Sequence, residues 1–192
     1  MKKVTIFAVA AFALFSFVKL ETSSWSSDNV HSTIGFSINH LGINDVQGSF
    51  INYESKISNT KEDFSDAKIE FSADAASVNT GNTMRDEHLK TAEFFDVEKF
   101  PKLSFVSTSL TKVKGNVFKL VGDLTFHGVT KPVTLEAVYN GSTVHPMNKK
   151  SIAGFKISGS IKRSDFNFGA STPEAIISDE VKLHANLEYA KN

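Results

Sequence analysis

The stretch Glu180-Val181-Lys182-Leu183-His184-Ala185-Asn186-Leu187-Glu188-Tyr189 decides the fold. Val181, Leu183, Ala185, Leu187 and Tyr189 take every second position, and Lys182, His184, Asn186 and Glu188 fill the gaps. A period of two puts successive side chains on opposite faces of an extended chain, so this is a strand with one face against an apolar interior and the other in water. Seven further segments repeat the pattern. They are 30 to 38 (Ile34, Phe36, Ile38), 46 to 57 (Val46, Gly48, Phe50), 67 to 74 (Ala67, Ile69, Phe71, Ala73) and 102 to 108 (Leu103, Phe105). The others are 116 to 126 (Phe118, Leu120, Gly122, Leu124, Phe126), 131 to 139 (Val133, Leu135, Ala137, Tyr139) and 152 to 162 (Phe155, Ile157, Gly159, Ile161). Their connections are mostly short and polar, which favours antiparallel hairpins over crossovers.

Between 82 and 95 the alternation stops. Thr83-Met84-Arg85-Asp86 has the form of a capping box, and Met84, His88, Leu89 and Ala92 share one face at helical spacing, which predicts a short helix between the third and fourth strands. Phe94-Phe95 just after it are expected to plug an apolar opening, and core packing explains them equally well. Eight antiparallel strands make a two-sheet sandwich or a closed barrel. Closure removes exposed edges. The expected fold is therefore all-β, an eight-stranded antiparallel up-and-down barrel with one helical insertion.

Composition narrows the function. The chain has 192 residues, 41% apolar and 22% charged, with 21 basic against 21 acidic side chains and no separate Lys/Arg cluster. Nucleic acid is not an expected partner. The absence of cysteine excludes a disulfide scaffold, a thiol nucleophile, a Cys-ligated metal and a lipid-modified cysteine. At the start, Lys2 and Lys3 precede an apolar run from Val4 to Val18 and then a polar stretch, the order of a secretory signal peptide. The run is short of the roughly 20 residues that cross a bilayer, so no stable membrane anchor is expected. The expected division is a signal peptide over residues 1–24 and a single domain over 25–192, exported and mildly acidic once Lys2, Lys3 and Lys19 are removed.

An eight-stranded barrel is packed solid or holds one small ligand, according to the size of its inward side chains. Gly48, Gly122 and Gly159 fall on the apolar rows, where glycine marks a kink or leaves space. Relief of crowding in a coiled sheet is the alternative. Thirteen of the 17 phenylalanines lie beyond the leader, which suits an apolar guest. The expected ligand-binding residues are Phe36, Phe50, Phe71, Phe105, Phe118, Leu120, Gly122, Leu124, Phe126, Phe155, Ile157 and Gly159. Arg85, Asp86 and His88, within one helical turn, are expected to bridge the helix to a strand end or to hydrogen-bond a ligand head group.

Several blocks resemble the bacterial YceI-like family. They are Asp28-x-x-His31-Ser32-x-Ile34-x-Phe36-x-Ile38-x-His40, Val46-x-Gly48-x-Phe50, Arg85-Asp86-x-His88-Leu89, Phe94-Phe95-Asp96 and Phe100-Pro101-x-Leu103-x-Phe105. Gly122-x-Leu124-Thr125-x-His127-Gly128-Val129-Thr130-x-Pro132-Val133, Arg163-Ser164-Asp165-Phe166 and Asp179-Glu180-Val181 complete the series. The resemblance runs from about Trp25 to Tyr189. It implies a lipocalin-like barrel, exported to the periplasm, that binds a polyisoprenoid or similar long-chain amphiphile and is not known for catalysis. One departure stands out: after Arg163-Ser164-Asp165-Phe166 the family usually places a glycine at once, whereas this chain has Asn167-Phe168-Gly169.

The polar blocks offer little chemistry. Of six histidines none pairs at i, i+4, and no His-x-His occurs, so no metal site is expected. Ser32 beside His31 lacks the Gly-flanked turn that exposes a nucleophile, so no catalytic residues are expected. The expected function is a periplasmic binding or carrier protein for an isoprenoid lipid such as a quinone or polyprenyl chain, not an enzyme, with no cofactor beyond that lipid. A lipid- or amide-directed enzyme acting at the barrel mouth, and a solid secreted interaction module, are the alternatives. A homodimer is left open.

Overall fold

A computed structural model of the chain describes residues 21–192. The strands are β1 (Ser23–Ser27), β2 (Thr33–His40), β3 (Asn44–Phe50), β4 (Tyr53–Asn59), β5 (Lys68–Asp74), β6 (Val78–Asn79), β7 (Lys102–Lys114), β8 (Val117–Phe126), β9 (Val129–Val144), β10 (Ser151–Lys162) and β11 (Ile177–Lys191). One α-helix, α1 (Thr83–Lys90), lies between β6 and β7. The strands pair antiparallel and close into a barrel of eight wall positions, because β1 with β2, β3 with β4 and β5 with β6 each form one position in two pieces. β11 shows how. Its last residues pair with β1 (Trp25↔Lys191), while its earlier ones pair with β2, from Asn186↔Thr33 to Ile177↔His40. Since β1 also pairs with β4 (Trp25↔Ile57), the β1–β11 ladder seals the ring. The eight alternating segments of the sequence map one to one onto the eight wall positions. The expected fold is observed, with its helix between the third and fourth.

Strict alternation fails where the first three positions break. In the second, Gly48 and Phe50 are buried in β3, but Tyr53, Ser55, Ile57 and Asn59 are buried in β4. The Ile51-Asn52 step changes the parity and leaves Ile51 exposed. A single 3₁₀ turn, Ala75–Ser77, does the same between β5 and β6. Between β1 and β2 the chain turns at Asp28, whose N–H donates to Glu188 O and whose Oδ1 accepts from Val30 N–H, and Glu188 N–H in turn donates to Ser32 Oγ.

The two ends differ. At one, the connections 60–67, 115–116 and 145–150 surround an aromatic plug. Phe64, with φ 57° and 2% exposure, lies 5.2 Å from the Trp25 ring, 5.0 Å from Tyr139 and 5.3 Å from Phe155, centroid to centroid. Trp25 Nε1 donates to Asn59 Oδ1 at 2.7 Å, and Ser55 Oγ and Tyr189 Oη share a hydrogen bond of 2.7 Å. Burial pushes the Tyr189 hydroxyl well above its ordinary value, so it stays neutral inside the wall. The opposite end carries the β2–β3 turn, the α1 insertion, the β8–β9 turn and the 163–176 loop. The signal segment expected over residues 1–24 falls mainly on 1–20, outside the described residues; Ser23 and Ser24 belong to β1.

Candidate functional site: an apolar cavity open at one end

Above the Phe64 layer the barrel is hollow. A cavity of about 390 Å³ runs from Ser55 and Ile69 near mid-height to an opening among His40, Arg85 and His88. Of the residues expected to contact a ligand, Phe36, Phe50, Phe71, Phe105, Leu120, Leu124, Phe126 and Ile157 line it, joined by Arg85 and His88. Its polar side chains are few: Ser55 deep inside, and His40, Thr80, Arg85 and His88 toward the mouth.

Five expected contacts lie off the cavity wall, and each has a physical reason. Phe155 belongs to the sealed end, 5.3 Å from Phe64 and 5.9 Å from Tyr189, and Phe118 is buried near the start of β8 on that same side. Asp86 turns back to Thr80, as described below. The glycines correct the expectation most directly. A Cβ on Gly122 would stand 2.4 Å from Phe105 Cζ and 2.5 Å from the Val106 carbonyl, and one on Gly159 would stand 2.5 Å from Leu135 Cδ2. Gly48 repeats the arrangement, 2.3 Å from Phe36 Cζ. The space each glycine vacates is filled by a side chain from an adjacent strand, so it is not room for a ligand. Phe36, Phe105 and Leu135 then form the wall itself.

Gly122→Leu should therefore destabilise the fold by about 1 to 3 kcal/mol, since the Val106 carbonyl cannot move aside as a side-chain tip can. Thermal unfolding measures it. A variant as stable as the parent would mean that Phe105 and the backbone at Val106 both shift to admit the side chain.

Helix α1 is placed by polar tethers, as none of its residues is buried. Its N-cap is Asn82 rather than the expected Thr83, with the Asn82 Oδ1 accepting from Arg85 N–H at 3.0 Å. Met84, expected to share one helix face with His88, Leu89 and Ala92, is 84% exposed. Asp86 Oδ1 accepts from Thr80 N–H at 2.8 Å and from Thr80 Oγ1 at 2.6 Å. Arg85 adds Nε to Thr80 Oγ1 at 2.7 Å and Nη2 to Thr80 O at 2.9 Å. Both residues thus bind the helix to the chain just after β6, the strand-end bridge the sequence suggested. His88 works elsewhere. Its Nε2 lies 3.0 Å from Glu93 Oε2, and Glu93 Oε1 accepts from Ser171 Oγ at 3.2 Å, which links the helix to the 163–176 loop. His88 and then Ser171 hold the Glu93 carboxyl below its ordinary value. Asp86→Ala leaves the Thr80 donors unmet and should cost about 1 to 3 kcal/mol. An unchanged melting temperature would remove the tether from the account.

The roof comes from residues outside the alternating rows. Phe95 packs 4.8 Å from Phe168, 5.8 Å from Phe126 and 5.8 Å from Phe50, and Phe94 lies 5.7 Å from Phe168. Phe94, Phe95 and Phe168 all face the cavity, so the aromatic pair closes part of an apolar opening and packs as core at once. In the Asn167-Phe168-Gly169 run, Asn167 (φ 55°) takes the left-handed conformation that a glycine would take easily, and Phe168 is thereby turned inward. Arg163, 5% exposed, fixes this loop. Its guanidinium donates to the carbonyls of Phe168, Gly169, Thr172, Ile177 and Ser178.

Sequence reasoning missed His40, Thr80, Phe168 and Ile177 as lining residues. Ile34, Ile38, Val46, Leu103, Val133, Leu135, Val181, Leu183, Ala185 and Leu187 also line the cavity, and their signal was available, for they sit on the same inward rows. Asp28, His31 and Glu188 were not foreseen as a group, yet their ligand atoms lie within 4.8 Å of one another on the outer wall. His31 Nδ1 is 3.0 Å from Asp28 Oδ2 and 3.9 Å from Glu188 Oε1, and the Asp28 hydrogen bond raises the His31 pKa. An imidazole hydrogen-bonded to one carboxylate and facing a second accounts for that spacing. Among the described residues no helix is long and apolar enough to cross a membrane.

A closed eight-stranded antiparallel wall around an apolar cavity defines a barrel of the size that encloses one small ligand. The YceI-like domain matches residues 25–189, and the chain belongs to that family. A UPF0312 protein of Staphylococcus aureus is 32% identical over 172 residues, covering 88% of this chain and 98% of the relative. A YceI protein of Campylobacter jejuni, known by crystal structure, superposes with a TM-score of 0.73 at 34% identity over 80% of this chain and 90% of its own. A domain of Saccharophagus degradans described as polyisoprenoid binding shares the fold, with a TM-score of 0.65 at 15% identity over 88% of this chain and 98% of its own.

Proposed function

We propose that this chain is an exported, periplasmic binding protein that holds the tail of an isoprenoid lipid, such as a quinone or polyprenyl chain, inside the barrel. The observation that carries this reading is the cavity: about 390 Å³, walled by aromatic and aliphatic side chains, with its polar side chains other than Ser55 gathered at one end. An apolar cavity of about 150 Å³ takes up benzene, so this one accommodates roughly fifteen carbons, and a longer chain emerges at the mouth. Each buried methylene contributes about 0.8 kcal/mol without any hydrogen bond. His40, Arg85 and His88 then stand where a polar head group would lie, and all three can donate to a carbonyl or phosphate oxygen. The description of the Saccharophagus degradans domain supports the same ligand class. The apolar run from Val4 to Val18 supports export, and cleavage before Ser23 would leave β1 whole. The wall supplies binding surface rather than paired acid and base groups, which favours carriage over turnover.

Mass spectrometry of an organic extract of the purified protein tests the reading, with Ala185→Phe as the control. Ala185 faces the cavity from β11, so the added ring occupies ligand space. The parent should yield an isoprenoid lipid, and the folded variant roughly tenfold less, the effect of about 1.4 kcal/mol. A parent that carries no such lipid and binds no added prenyl alcohol would overturn the proposal.

A further inference from the structure

We infer that the open end of the barrel docks on a lipid bilayer by inserting a rim formed by Leu41, Ile43, Met84 and Ile176. The inference rests on the function proposed above and adds where the ligand is exchanged. The four side chains are 52%, 83%, 84% and 43% exposed, and each stands beside the cavity mouth. His40, Arg85 and Ile177, which line the cavity, are the immediate chain neighbours of Leu41, Met84 and Ile176, and Ile43 shares the turn with Leu41. Leu41 N–H donates to Ile176 O at 2.9 Å, so the β2–β3 turn and the segment before β11 form one patch. Apolar surface therefore continues from the rim into the cavity wall.

The turn shows that its apolar tip is a feature in its own right. Leu41 (φ 54°) and Gly42 (φ 72°) both lie in the left-handed region, and Ile43 N–H donates to His40 O at 3.2 Å, a β-turn whose two central positions Asn-Gly fits best. Leucine there costs conformational energy, and an exposed leucine recovers none of it by packing. On the other side of the mouth, Met84 sits in the first turn of α1 and points away from the core that Leu89 of the same helix packs against.

Four side chains around a cavity mouth are too little surface for a stable protein partner, which needs on the order of 1,000 Å² of fitted area. A bilayer accepts them without shape complementarity and also holds the sparingly soluble ligand. Charge defines the surface further. The neighbouring elements carry Asp45, Asp86, Glu87, Glu93 and Glu174 against Arg85, Lys90 and Lys182, the last paired with Asp45 at 3.2 Å, so anionic lipid does not drive the contact. The occupant is a neutral membrane surface met by insertion.

Flotation of the processed, purified protein with phosphatidylcholine vesicles, alone or mixed with phosphatidylglycerol, tests this. The parent should float with neutral vesicles at least as well as with anionic ones. The double variant Ile43→Ser with Met84→Ser should lose flotation by about tenfold or more, keep its melting temperature, and bind a prenyl alcohol in detergent with unchanged affinity. Equal flotation of parent and variant, or flotation of the parent only with anionic vesicles, overturns docking by this rim. So does a change in oligomeric state on substitution, which would make the patch a contact between copies. A parent that floats in a rim-dependent way but binds no prenyl alcohol overturns the proposed ligand and leaves the docking surface standing.

Discussion

Phe64→Ala should lower the stability of the barrel by about 3 to 5 kcal/mol, the range for deleting a fully buried phenylalanine ring. Three aromatic partners lie within 5.3 Å of this ring, and it is 2% exposed although it sits in a connection between strands. The connection holds it there deliberately. Asp66 accepts from Thr60 N–H and Lys61 N–H, and Phe64 takes a left-handed φ of 57° to point its ring inward. Truncation leaves Trp25, Tyr139 and Phe155 facing a void at the end of the barrel where the wall is otherwise complete. Urea unfolding followed by Trp25 fluorescence measures the loss. A cost below about 1 kcal/mol would mean that the neighbouring rings collapse into the gap.

Arg163→Met should cost a similar amount, about 3 to 5 kcal/mol, by a different route. The guanidinium donates to five carbonyls of the 168–178 segment at 2.6 to 3.3 Å, and a thioether offers them nothing. Buried carbonyls left without donors carry a desolvation cost of about 1 to 3 kcal/mol each unless the loop opens to water. Opening frees Phe168 from the roof, so cavity and stability fail together. Arg163→Lys should recover little, because one ammonium cannot reproduce a planar fork reaching five acceptors. Hydrogen exchange of the 163–177 amides separates local opening from global unfolding, and a lysine variant with wild-type protection would refute the fork argument.

How much of this was legible in the sequence depends on whether the signal is periodic. The wall was legible, because a barrel strand has water on one side and an interior on the other, and Val181 to Tyr189 announce both. The breaks were not. Ile51-Asn52 flips the inward face between Phe50 and Tyr53, and two residues of irregular backbone leave no mark on composition. The glycines were seen as inward but assigned the wrong beneficiary, since the ring over Gly122 belongs to Phe105 on the neighbouring strand and strand register is not written in either segment alone. Arg163 and Phe168 escaped for a third reason. Their roles arise from a loop that folds back on itself, where neither a period of two nor one of 3.6 applies. The short block after β10 was visible only as a departure from the family pattern, and its consequence is the inward turn of Phe168.

The ladder that seals the barrel also gives the molecule a polarity. Ser23, where the chain joins the wall, and Trp25↔Lys191, where first and last strands meet, lie at the plugged end, the full height of the barrel away from His40, Arg85 and His88. Under the export proposed above, a leader held in a membrane at this point would orient the mouth away from that membrane, and cleavage would let the molecule turn over. On that proposal, processing would be a step of orientation as well as of release. The same polarity makes a tether at either terminus a neutral handle, one that leaves the mouth facing outward from any surface to which the protein is attached.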